Sequence, residues 1–100
     1  MPTPVAFMNG DFVPLADAKV GIMTHALHYG TAVFEGIRGN WNAQKEQMYI
    51  FKLREHYERL LRGCKMLWID VPYTAQQLCD ITVEVVERSG YTQDLYIRPV

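Results

Sequence analysis

Read in order, the patterns along these 100 residues run strands, two helices, strand, and predict an α+β domain. Three observations carry that prediction. An Asn-Gly pair, Asn9-Gly10, separates two short apolar runs. Two later stretches place apolar residues at three- and four-residue spacing. Beyond them, Leu95 to Val100 returns to extended character.

Val5-Ala6-Phe7-Met8 and Phe12-Val13-Pro14 flank Asn9-Gly10-Asp11. Asn-Gly tolerates φ > 0 at both positions, so a two-residue hairpin is expected there. Asp17 to Met23 reads as a weaker strand and loop. From His25 to Arg38 the period is ambiguous; Gly30 and Gly36 bracket Thr31 to Glu35 and allow close approach or unusual dihedrals. A loop and a short turn are expected, then a strand from about Gly36 to Asn42, a polar hairpin loop over Asn40 to Gln47, and a returning strand at Met48-Tyr49-Ile50-Phe51. Leu53, Tyr57, Leu60, Leu61, Cys64, Leu67 and Trp68 form one apolar helical stripe, which Pro72 closes. Thr74 and Gln77 fit a capping box for the next helix, whose stripe is Leu78, Ile81, Val85 and Val86 and whose C′ residue is Gly90.

Ten basic and eleven acidic residues give a net charge of −1, which offers no electrostatic reason for a nucleic-acid or anionic-membrane partner. No segment approaches the roughly 20 apolar residues that cross a bilayer. The start, Met1-Pro2-Thr3-Pro4, lacks the basic and apolar regions of a signal peptide, so a cytoplasmic protein is the expectation. Cys64 and Cys79 have no metal-like spacing and read as reduced core thiols. The sequence stops inside the expected final strand, an unusual end for a domain, which suggests a truncated chain.

The polar groups that stand out are Tyr29, Glu35, Arg38, Arg59, Tyr96 and Arg98. Guanidinium forks suit phosphate and carboxylate, and several aimed at one space would suit a doubly anionic substrate. Any single arginine has a simpler explanation. Arg59 follows Glu55 by four residues, which a helix-surface ion pair accounts for, and Arg54 and Arg62 read as solvent-facing. His25 and His28 could share a helical face as metal ligands, but with no third ligand nearby, local hydrogen bonding under the glycine turn is the better reading. Phe34 reads as core, Cys64 has no base partner to activate it, and no phosphate-binding glycine loop is present.

Three segments change this picture. His25 to Gly39 (HALHYGTAVFEGIRG), Phe51 to Leu60 (FKLREHYERL) and Tyr96-Ile97-Arg98-Pro99 resemble, in order, the signature of the branched-chain-amino-acid aminotransferases, and the Asn9-Gly10 hairpin agrees. The resemblance spans almost the whole chain. It implies fold type IV of the pyridoxal 5′-phosphate (PLP) enzymes, with residues 1–100 as a small N-terminal domain, an antiparallel-rich sheet with two helices. It also implies a larger C-terminal domain absent from this chain, and a homodimer or a hexamer of dimers.

Carried over by position, Arg59 resembles the ligand of the PLP phosphate. Phe34 resembles an aromatic wall of the side-chain pocket, and Tyr29 a pocket residue given across the dimer interface. Tyr96 matches the tyrosine that holds the substrate α-carboxylate, with Arg38 supporting that end. Arg98 resembles the arginine that receives the side-chain carboxylate of glutamate. One pocket must take leucine, isoleucine or valine and then glutamate, and an unpartnered second carboxylate would be costly to bury. The resemblance places the Schiff-base lysine beyond residue 100; Lys19, Lys45, Lys52 and Lys65 match none of its positions. The implied reaction is ping-pong transamination with 2-oxoglutarate, this chain supplying cofactor-phosphate and substrate contacts but not the proton transfer. A D-amino-acid aminotransferase or aminodeoxychorismate lyase of the same fold, or a dimerising fragment without catalysis, are the alternatives.

Overall fold

The computed structural model describes residues 2–100. Asn9 and Gly10 both take positive φ, 53° and 87°, and reverse the chain between β1 (Val5–Met8) and β2 (Asp11–Pro14). The two strands pair antiparallel with Met8 opposite Asp11, the two-residue hairpin expected from Asn-Gly. Phe7 and Phe12 meet edge to face, with ring centroids 5.1 Å apart.

The expected strand character over Asp17 to Met23 is absent. A single 3-10 turn, Leu15–Asp17, is followed by irregular backbone and one turn, which carry Val20, Ile22 and Met23 exposed. These apolar residues find no strand partner, so their β propensity has nothing to pair with. A second difference follows. His25–Tyr29 forms a short helix, α1, where a loop and turn were expected. Five residues are too few to show a helical period. Gly30 closes the helix with φ 66° and a backbone bond to Ala26 O of 2.9 Å. His25 Nδ1 meets Thr31 Oγ1 at 2.6 Å and His28 Nε2 donates to Ile22 O at 2.8 Å, the local bonding expected of these histidines.

β3 (Ile37–Asn42) pairs antiparallel with β4 (Gln47–Ile50) on one edge and β5 (Leu95–Ile97) on the other, giving the order β4-β3-β5. The hairpin loop is shorter than expected, residues 43–46 rather than 40–47, because Asn42 still pairs with Gln47 and its Oδ1 accepts from Lys45 N. β5 is also shorter than the expected strand to Val100.

α2 (Leu53–Met66) and α3 (Ala75–Ser89) pack against one another, α3 also lies against β1, and side chains of both helices share a core with the three-stranded sheet. Ile37, Tyr57, Leu60, Cys64 and Cys79 form the core, with Val33, Ile50, Leu53, Leu78 and Ile97 against it. Both cysteines are buried and free. Gly63 permits this packing: a Cβ there would lie 2.9 Å from Val33 Cγ1. Thr74 accepts from Gln77 N while Gln77 Oε1 accepts from Thr74 N, the expected capping box. Gly90 ends α3 with φ 70°.

The expected stripe of α2 is two residues too long. The helix stops at Met66, and Trp68 takes the left-handed φ of 59° one residue past the Leu67 cap. Trp68 N bonds Lys65 O and Ile69 N bonds Cys64 O, a Schellman motif with tryptophan where glycine is usual. Trp68 is therefore turned out of the core, 94% exposed. Among the described residues no helix is long and apolar enough to cross a membrane.

Candidate functional site

Alternation along residues 33–40 sorts the site. Glu35, Ile37 and Gly39 are buried on the side facing α2; Phe34, Arg38 and Asn40 are exposed on the other. In β5 and its extension, Tyr96 and Arg98 share the exposed face while Leu95, Ile97 and Pro99 are half-buried. The ladder register puts Arg38 directly opposite Tyr96 and Ile37 opposite Ile97. Glu35 N donates to Pro99 O at 3.1 Å, which holds the Phe34 end of the segment against the Arg98 end of the other.

Of the six residues carried over by resemblance, four, Phe34, Arg38, Tyr96 and Arg98, therefore gather on one outer face. The Arg98 guanidinium lies over the rings of both Phe34 and Tyr96, 4.7 and 5.2 Å from their centroids. Arg38, Asn40, Asp94 and Tyr96 line an open groove beside them. Phe34 is 60% exposed, so the reading of it as a core residue is replaced by that of a surface ring under a cation. A flat aromatic surface with two guanidinium groups next to it can take an aliphatic chain and a carboxylate side by side.

Gly36 makes this arrangement possible. A Cβ at Gly36 would lie 2.6 Å from Tyr96 Cζ and closer still to its hydroxyl, so the tyrosine rests on bare backbone.

Arg59 lies elsewhere. It projects from α2, and its hydrogen bonds go to the buried carboxylate of Glu35: Nε to Oε2 at 2.8 Å and Nη2 to Oε1 at 2.7 Å. The simple helix-surface pairing with Glu55 is not formed. Glu35, brought in by the segment before β3, takes the guanidinium at both of its oxygens. The i,i+4 pair on this helix is instead Arg54 with Glu58 at 3.1 Å, and both Arg54 and Arg62 are exposed as expected. His56 Nδ1 donates to Glu35 Oε1 at 2.8 Å, so both Glu35 oxygens are occupied. The Arg59 hydrogen bonds, with help from His56, hold the Glu35 carboxyl down at about 2 from an ordinary 4.5, against the opposing effect of burial. The same pair raises the Arg59 pKa.

Tyr29 is on α1, 72% exposed and stacked on His25 with centroids 4.5 Å apart. Its ring partners are His25 and His28 rather than Phe34. Glu35 stood out in the sequence without a role, and His56 did not stand out at all. Their signal was a charged residue on the inward parity of an apolar segment, and a histidine three positions before Arg59 on one helix face.

Comparison with known proteins follows the same lines. The family model described as amino-transferase class IV matches residues 32–100. A probable branched-chain-amino-acid aminotransferase of Aquifex aeolicus (strain VF5) is 48% identical over 95 residues, 95% of this chain and 30% of that protein. The branched-chain aminotransferase of the thermophilic archaeon Thermoproteus uzoniensis, solved with norvaline, superposes with a TM-score of 0.82 at 49% identity, covering 89% of this chain and 29% of that one. The PLP form of the Thermobaculum terrenum enzyme gives 0.86 at 32% identity, covering 97% and 32%. The chain thus spans just under a third of the length of the relatives it matches.

Proposed function

Because the chain belongs to the class IV amino-transferase family, whose members depend on PLP, we propose that these residues serve a transamination between branched-chain L-amino acids and 2-oxoglutarate. The observation that carries this reading is the Arg98 guanidinium over Phe34 and Tyr96. The aromatic faces suit leucine, isoleucine or valine. The guanidinium suits the second carboxylate of glutamate, which would otherwise be left without a partner. Tyr96 and Arg38, ladder partners on β5 and β3, are proposed to hold the α-carboxylate end, a role their hydroxyl and guanidinium donors suit. Tyr29, outside this cluster, is proposed to complete the pocket of a second subunit in a homodimer.

The donor set fits PLP. Glu35 takes two of the five Arg59 donors, and the remaining three, both on Nη1 and one on Nη2, form a second fork suited to a phosphate dianion. When bound, PLP supplies the electron sink that holds charge at the substrate α-carbon. Arg59 anchors the phosphate, Phe34 excludes water from the aliphatic chain, and Arg98 and Arg38 orient carboxylates. The lysine that moves the α-proton is proposed to belong to a second, larger domain not represented among these residues.

The test is a transamination assay of the full-length protein with L-leucine and 2-oxoglutarate, and with D-alanine in parallel. Glutamate formation from L-leucine is expected. Turnover of D-alanine alone would replace this reading with the D-amino-acid aminotransferase alternative.

A further inference from the structure

We propose that Glu35 is a positioning residue for Arg59, holding one edge of its guanidinium so that the opposite edge is aimed at the phosphate of PLP; this rests on the phosphate reading of Arg59 given above. Three observations carry it. The contact is two-pointed, at 2.8 and 2.7 Å, so it fixes the guanidinium plane as well as its position. The carboxylate is itself fixed: Glu35 is 7% exposed, its backbone N–H is held by Pro99 O, and its Oε1 takes a third bond from His56. Arg59, by contrast, has a side chain 65% exposed on a helix surface, where a long, free side chain would sample many rotamers. Glu35 removes that freedom.

The position of Glu35 in the chain adds a second consequence. Its neighbours are Phe34, which faces the substrate side, and Gly36, on which Tyr96 rests. The peptide segment that sets the aromatic surface on one side thus sets the phosphate arm on the other. The anionic carboxylate does not cancel the cation. The paired Arg59 stays protonated, since the pairing raises its pKa, and His56 draws on the same oxygen that Arg59 Nη2 uses.

The experiment compares dissociation constants of PLP and of pyridoxal, which lacks the phosphate, for the full-length protein and its Glu35→Gln and Arg59→Ala variants, followed by cofactor absorbance. Glu35→Gln keeps the size and loses the charge-assisted grip. It is expected to weaken PLP about tenfold while leaving pyridoxal within about twofold. Arg59→Ala is expected to weaken PLP at least as much, and adding Glu35→Gln to it is expected to change little. Unchanged PLP affinity in Glu35→Gln, with Arg59→Ala weakened, would overturn this inference and leave the phosphate reading standing. Equal weakening of PLP and pyridoxal in Glu35→Gln would also overturn it, since a structural role acts on both. Unchanged PLP affinity in Arg59→Ala would remove the phosphate reading itself. Should Glu35→Gln not fold, Glu35→Asp shortens the reach by one methylene, and the PLP-to-pyridoxal affinity ratio is expected to fall about threefold; an unchanged ratio overturns the proposal.

Discussion

The ring of Tyr96 lies against the backbone of Gly36, so closely that a side-chain carbon at position 36 would fall 2.6 Å from the ring Cζ. A Gly36→Ala variant must therefore displace the tyrosine. Tyr96 is 64% exposed and can swing toward solvent, so the stability loss is expected at the low end of overpacking, about 1 kcal/mol. The larger effect is geometric: the Arg98 stack on Tyr96 opens. A crystal structure or ring-to-guanidinium NOEs would check it, and an unmoved Tyr96 would contradict the packing described here.

On the proposed reading, Arg98→Ala in the full-length protein is expected to separate the two half-reactions. Without the guanidinium, Phe34 and Tyr96 would still receive an aliphatic chain, but a glutamate side chain would lose its proposed charged partner. The leucine half-reaction is expected to change by less than about threefold, and the glutamate half-reaction to fall about tenfold or more. Single-turnover kinetics with each amino acid would measure the split; equal losses would argue against Arg98 as the carboxylate partner.

Tyr57 and Thr82 share a buried hydrogen bond between α2 and α3. Thr82 Oγ1 donates to Leu78 O at 2.8 Å, so the tyrosine hydroxyl is the donor in the pair. Thr82→Val strands that hydroxyl in a site where Tyr57 is 5% exposed, and is expected to destabilise the fold by about 1–3 kcal/mol. Tyr57→Phe with Thr82→Val removes both ends, and the double variant is expected to be less damaged than the two single losses added together. Urea unfolding of the three variants gives the coupling.

Thr74→Ala removes one half of the capping box on α3. A loss of about 1 kcal/mol is expected, with the helix otherwise intact by circular dichroism. Thr74→Ser should retain most of the stability.

The Glu35 carboxyl is held at about 2 in the folded chain against an ordinary 4.5. A depressed carboxylate pKa contributes stability that is fully present above the unfolded value and is lost as pH falls through the folded one. The stability advantage of wild type over Glu35→Gln is therefore expected to hold at neutral pH and to shrink between pH 4.5 and about 2. Denaturant titrations across that range test the sign; an advantage that grows on acidification would contradict it.

The long helices and the first hairpin were legible because their signals are local. Leu53, Tyr57, Leu60 and Cys64 fall at helical spacing, Thr74 and Gln77 are three residues apart, and Asn9-Gly10 carries its own turn chemistry. The limits of legibility were local too. Trp68 continues the apolar spacing of α2 but leaves the helix through a left-handed turn, and periodicity cannot see where a helix stops. α1 was hidden by its five-residue length, and Asp17 to Met23 has strand-like residues with no strand beside them.

By itself the sequence determined the two long helices, the first hairpin and their capping and turn residues, and through its resemblance it singled out a set of arginines and aromatics as candidates. Only the tertiary structure decided what those residues touch. Arg59 could have paired with Glu55 four residues away, but it reaches across 24 residues of sequence to Glu35. The physical reason is that a buried carboxylate, fixed by the backbone bond to Pro99 and by His56, presents two aligned acceptors, whereas spacing along a helix determines only which residues are near one another. In the same way Arg38 and Tyr96, 58 residues apart, become neighbours because β5 adds antiparallel to β3 in one register, which depends on both strands burying the same face.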